Sequence, residues 1–190
     1  FYLTGGTALD GYYLYNRIYD DLDFFSFGDL DSMSIHSVAE ELRKIIGAEK
    51  VRFSKLYDRN QFFYSVGAEE YKVEFTKYPF KQLEEAKVFD DARIDSELDI
   101  AVNKLITITD RFDPKDFVDL YFLLKKFTFW DLTYGLKLKY NMEIDIILLA
   151  TFPIHPGILV SARPVALMEM TDSGESDHKI IAVPAEDRRW

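Results

Sequence analysis

The sequence predicts an α/β (α+β) protein, a small mixed sheet flanked by helices with a β-rich segment after it. Three observations predict that class. The chain opens on an apolar strand that runs into Gly5-Gly6-Thr7 and then a helix-forming stretch. Residues 71–75 alternate, with Tyr71, Val73 and Phe75 on one face and Lys72 and Glu74 on the other, the period of a half-buried strand. Later segments carry apolar residues at helical spacing.

Taken in order, Phe1 to Leu3 reads as a strand, Gly5 to Thr7 as a tight turn, and Ala8 onward as a helix. Leu22 to Phe27 is a second strand with Asp21 and Asp23 at its start. Ser34 to Ile46 is a helix on Ile35, Val38, Ala39 and Leu42, ended by Gly47. Val51 to Tyr57 and Gln61 to Val66 form a hairpin across Asp58-Arg59-Asn60. Ser96 to Thr109 is helical on Leu98, Ala101, Val102, Leu105 and Ile108. Asp113-Pro114 caps a further helix on Phe117, Leu120, Tyr121 and Leu124. After Tyr140 the texture changes to an apolar run, Ile144 to Ala150, and then short β-rich segments punctuated by Pro153, Pro156, Gly157 and Pro164. A boundary near 141–144 divides the chain into segments 1–142 and 143–190. Both ends read as cut, as in a fragment or a joining of two genes.

Composition bounds the chemistry. The hydrophobic fraction of 48 % and aromatic fraction of 16 % are those of a globular chain. A net charge of -10 leaves no broad basic face for duplex nucleic acid, although a local contact with a nucleic-acid end stays open. The absence of cysteine removes disulfides, thiolate metal sites and thiol nucleophiles. No leader and no apolar run of spanning length is present, so the expectation is a soluble cytoplasmic protein without a membrane partner.

Asp21-Leu22-Asp23 is the most informative triplet. On a strand both carboxylates point to one side, and two like charges so close resist ionisation unless a cation sits between them. Such hard oxygen ligands suit Mg²⁺ or Mn²⁺, with waters and substrate phosphates completing the shell. Glu74 could add a third carboxylate to a two-metal clamp on a nucleoside triphosphate. Gly5-Gly6-Thr7 could bring backbone N–H groups and a hydroxyl to a phosphate. Each piece also has a structural reading: a turn and helix start, a solvated strand end, a surface glutamate. The combination points to a metal site.

As a set, Leu3-Thr4-Gly5-Gly6-Thr7-Ala8-Leu9, Arg17 and Asp21-Leu22-Asp23-Phe24-Phe25 resemble the signature of the AbiEii/AbiGii nucleotidyltransferase toxins. Lys104-Leu105, Arg111 and Asp116-Phe117-Val118-Asp119-Leu120-Tyr121 resemble that family's later motif, so the likeness covers residues 1–140 or so. It implies a polymerase-β-like nucleotidyltransferase fold and transfer of a nucleotide from an NTP to an RNA or protein hydroxyl. It also implies pairing with a cognate antitoxin. Roles carried over give phosphate to Gly5, Gly6 and Thr7, metal to Asp21, Asp23 and Glu74, the triphosphate to Lys104, and completion of the site to Asp116 or Asp119. Tyr19 stands where the family usually has a small hydroxyl residue. Lys104 also reads as a lysine snorkelling from its helix, and Asp116 as an acid on the helix dipole.

Residues 145–190 resemble another family, the soluble family I inorganic pyrophosphatases. The likeness rests on Asp145-Ile146-Ile147-Leu148, Ala162-Arg163-Pro164-Val165 and the run from Met170 to Pro184. It implies Mg²⁺ on Asp145, Asp172 and Asp177, and phosphate on Lys179. Two upstream acids of that family's motif are replaced by Tyr140 and Met142, and too few residues remain to close its barrel. The sequence therefore predicts a chimera whose working half is the transferase. Pyrophosphate hydrolysis and a catalytically dead binding module are the alternatives.

Overall fold

The computed structural model describes residues 1–15, 21–111 and 113–144. Arg17, Tyr19 and the pyrophosphatase-like Asp145, Asp172, Asp177 and Lys179 lie outside the described residues. Residues Phe1–Ile144 form one compact unit.

Among the described residues seven strands make one mixed sheet: β1 (Tyr2–Thr4), β2 (Asp21–Ser26), β3 (Lys50–Leu56), β4 (Arg59–Val66), β5 (Glu69–Lys77), β6 (Lys87–Phe89) and β7 (Ala92–Ile94). Their order is β3-β4-β5-β2-β1-β7-β6. β2 lies near the centre, antiparallel to β1 and parallel to β5. The α-helices of the described residues that flank the sheet are α1 (Gly5–Leu9), α2 (Ser32–Ile46), α3 (Glu97–Asp110), α4 (Pro114–Leu123) and α5 (Phe129–Tyr140). A π-helical stretch, Asp10–Leu14, prolongs α1. Among the described residues no helix is long and apolar enough to cross a membrane.

The mixed sheet with helices is the fold class the sequence predicts, and local chemistry explains the elements. Asp31 caps α2 by accepting from the Ser34 N–H, and Gly47 closes that helix in the left-handed conformation. On one sheet face Ile35 and Ala39 of α2 pack on Phe62, Tyr64, Val73 and Phe75, with Leu22 and Phe24 of β2 against them. Each such aromatic or aliphatic side chain contributes roughly 1.5–3 kcal/mol by leaving water. Because strand residues alternate, burying Leu22 and Phe24 on the α2 side turns Asp21 and Asp23 to the opposite face. That core is what aims the acids.

Two expectations shift. The helix begins at Gly5 rather than Ala8, and the hairpin turns at Tyr57-Asp58, which leaves Arg59 and Asn60 inside β4. The hairpin β6–β7 and the helix α5 are additions. α5 has a capping box, Thr128 with Asp131, and it approaches α3 closely at Gly135. A Cβ there would lie 2.5 Å from Val102 Cγ2, so only glycine permits the contact.

Asp95, fully buried between β7 and α3, ties the layers together. It accepts from Thr4 Oγ1 of β1 at 2.8 Å and from Gln82 Nε2 at 2.7 Å. Burial pushes its pKa up to about 6, with Lys139 pulling the other way and Asp99 adding to the rise. A carboxyl whose pKa is higher folded than unfolded stabilises below the unfolded value, and that stability is lost as pH rises through the folded one. Between pH 4 and 6, Asp95→Asn is therefore expected to flatten the fall in stability. At pH 7 the variant should be more stable by on the order of 2 kcal/mol. Urea unfolding of both proteins across that range checks this, and parallel curves would refute it.

Candidate functional site

Pairing of β2 with β5 places Asp21 opposite Lys72 and Asp23 opposite Glu74. The three acids expected from the sequence thus share one region of the sheet face away from α2. Asp21 is half-exposed and Asp23 half-buried. Burial raises the Asp23 pKa; Lys72 opposes this, while Glu74 and Asp21 add to it. Arg59 opposes the rise too, but among the described residues these two cations do not bring Asp23 back to the ordinary carboxylate value. Gly5 faces it, and a Cβ on Gly5, whose φ is +73°, would stand 2.9 Å from Asp23 Oδ2. Glycine is needed there twice over, for the left-handed backbone and for the space.

Glu74 is nearly buried, and its oxygens are taken. Arg59 donates to both, at 2.5 and 2.8 Å, Gln61 to Oε2 at 2.9 Å and Thr76 to Oε1 at 2.9 Å. Burial alone would raise its pKa, but Arg59 and the donated hydrogen bonds hold it below the usual carboxylate value. Among the described residues no three acids or histidines are gathered as a metal ion requires. Glu74 as a direct third ligand is therefore corrected: it stands beside the pair and fastens the Arg59 guanidinium. The reason is the shifted hairpin turn, which puts Arg59 into β4 on the face of Glu74.

Thr7 is corrected likewise. Its hydroxyl donates to the Asp21 carbonyl, so the proton expected at a phosphate oxygen instead ties α1 to the start of β2. Gly6 is buried; Gly5 and Thr7 are half-buried.

Lys104 and Asp116 meet, but in a buried trio with Asp119, which the exposed Arg111 joins from outside. Lys104 Nζ is 2.6 Å from both Asp116 Oδ1 and Asp119 Oδ2, and Arg111 Nε is 3.0 Å from Asp116 Oδ2. Two cations and two buried anions balance. A triphosphate would compete with two carboxylates for this ammonium, so Lys104 and Asp116 here join α3 to α4 rather than face an open cleft. Lys72 and Arg59 are the site residues that sequence reasoning missed. The alternation naming Lys72 as a partner of Glu74 on one face was the available signal.

The two carboxylates that remain suit Mg²⁺, which is held through one or two protein carboxylates plus substrate phosphates. Asp21 and Asp23 point to one side, Asp23 is under-neutralised, and Gly5 leaves room beside it. The donor set fits.

The family described as nucleotidyl transferase AbiEii toxin, Type IV TA system, matches residues 1–140, and the inorganic pyrophosphatase family matches 132–190. An uncharacterised Aquifex aeolicus protein, aq_aa25, is 37% identical over 155 residues, covering 77% of this chain and 70% of that one. The Halobacterium salinarum inorganic pyrophosphatase is 54% identical over 46 residues, which are 24% of this chain and 26% of that one. The chain thus spans about a quarter of the length of the pyrophosphatases it matches. The crystal structure of Helicobacter pylori JHP933 superposes with a TM-score of 0.54 at 27% identity, over 72% of this chain and 64% of that one. A second H. pylori chain, provisionally named a nucleotidyltransferase, gives 0.53 at 26% identity, over 72% of this chain and 66% of that one.

Proposed function

The chain belongs to the AbiEii nucleotidyltransferase toxin family, and from that premise we propose that it transfers a nucleotide from an NTP to an RNA or protein hydroxyl with Mg²⁺ or Mn²⁺. The observation that carries the reading is the juxtaposition of Asp21 and Asp23 on β2 with Gly5, whose missing side chain opens the space beside Asp23.

Asp21 and Asp23 would hold the cation. When bound, it supplies charge to the triphosphate and lowers the pKa of the attacking hydroxyl. The acceptor hydroxyl gives its proton to solvent as its oxygen bonds to the α-phosphorus; the bond from that phosphorus to the α–β bridging oxygen breaks, and pyrophosphate leaves with that oxygen. Thr7 keeps Asp21 in register through the Asp21 carbonyl, and Arg59, fixed by Glu74, stands near the developing negative charge. A cognate antitoxin and an abortive-infection or toxin–antitoxin role belong to the same proposal.

The test is transfer of label from an α-³²P-NTP to total RNA and to protein. Wild type should label one of them in Mg²⁺ and Asp21→Ala should label neither; equal labelling by both proteins would defeat the reading. Pyrophosphate hydrolysis is the second reading, favoured by the 54% identity over 46 residues. It requires phosphate release from Mg–pyrophosphate that disappears in Asp172→Ala.

A further inference from the structure

Lys72 sits where a cation is needed. Its Nζ is 3.0 Å from Asp21 Oδ2 and 3.9 Å from Glu74 Oε2, with the side chain only 20% exposed. Arg59, the other nearby cation among the described residues, is committed to Glu74 through two hydrogen bonds. Among the described residues three carboxylates and two cations leave this cluster one unit negative, and of those two cations it is Lys72 that pairs directly with Asp21.

We propose that Lys72 is an internal counter-cation that stands in for the divalent ion and is displaced when metal and triphosphate arrive together. The inference rests on the transferase reading and deepens it by assigning how metal entry is regulated. A +2 ion entering beside Asp21 meets the ammonium as a like charge, so metal alone binds weakly. Triphosphate oxygens offer the displaced ammonium an anionic partner, which removes that opposition. Binding of metal and NTP is thereby coupled, and each strengthens the other by the same factor. The long, rotatable lysine stem suits a group that must move; a bidentate arginine is held harder.

The experiment is titration of the full chain with Mn²⁺, followed by calorimetry and by the EPR signal of free Mn²⁺. It is run with and without the α,β-methylene analogues of the four NTPs. Lys72→Met should bind Mn²⁺ alone about tenfold more tightly than wild type, within the usual range of coupling of about 5–150-fold. Its enhancement by the analogue should shrink correspondingly. Lys72→Arg should behave like wild type, and Asp21→Asn should bind no Mn²⁺. In the chelator EDTA, Lys72→Met should melt lower than wild type and regain more on adding Mn²⁺. Unchanged or weaker Mn²⁺ binding by folded Lys72→Met, or by Lys72→Gln should the first variant not fold, overturns the assignment of Lys72 alone. Failure of every protein, wild type included, to bind Mn²⁺ with or without analogue overturns the metal site itself and this inference with it.

Discussion

Replacing Asp23 with asparagine is expected to lower nucleotidyl transfer on the order of 10³-fold, the scale of removing one electrostatic group from a reacting centre. The same change should leave the melting temperature in EDTA unchanged or higher. The two effects come from one cause. Burial, with Glu74 and Asp21 close by, raises the Asp23 pKa, so its ionised form costs folding free energy at neutral pH. With the folded pKa above the unfolded one, the stability this group gives is present at low pH and lost as pH rises. Asparagine keeps the size that fits against Gly5 and removes the charge. Function and stability therefore pull in opposite directions at this position, as they do where a site stores unfavourable charge. Label transfer and thermal melting of the two proteins check both halves. A variant that melts several degrees lower would make Asp23 a structural acid and remove it from the chemistry.

Much of this site is legible in the sequence. The alternation in β5 put Glu74 and Lys72 on one face, and the Asp-x-Asp spacing put both aspartates on one side of β2, because side-chain direction on a strand follows from period alone. What period cannot give is who partners whom. The sequence makes Arg59 a turn residue, and the turn at Tyr57-Asp58 instead swings its guanidinium onto Glu74. Lys104 was legible as a lysine near an apolar stripe, but its pairing with Asp119 depends on how α4 crosses α3. α5 escaped because its apolar residues do not keep to one side: Leu132 and Leu136 are buried, while Trp130, Tyr134 and Leu138 are exposed, and Gly135 interrupts. Its capping box, Thr128-x-x-Asp131, was the available sign.

The largest loss of stability is expected at that helix, from Lys139→Met. Lys139 Nζ lies 2.6 Å from Asp99 Oδ1 with both side chains fully buried. Asp99 also accepts from Ser96 Oγ at 2.8 Å and from the N–H groups of Leu83 and Glu84 at 3.0 and 3.1 Å. Ser96 caps α3 by accepting from the Asp99 N–H, and the Asp99 carboxylate holds that hydroxyl and pins the segment after β5; among the described residues its close cation arrives from α5, 40 residues away in sequence. Methionine would fill the space of the lysine stem but leave Asp99 charged, buried and uncompensated. It would also strip Asp95 of the cation that opposes its rise in pKa. Breaking a buried pair from one side costs about 3–5 kcal/mol, a large part of the stability of a domain this size, and should lower the melting temperature by roughly 10 °C. Adding Asp99→Asn should recover part of that loss, because the asparagine keeps an acceptor for Ser96 and the loop amides without the charge. A double-mutant cycle by urea unfolding reads the coupling directly. Strict additivity would mean that the two side chains act separately, and that α5 is held to α3 by the Gly135–Val102 contact and its neighbours rather than by charge.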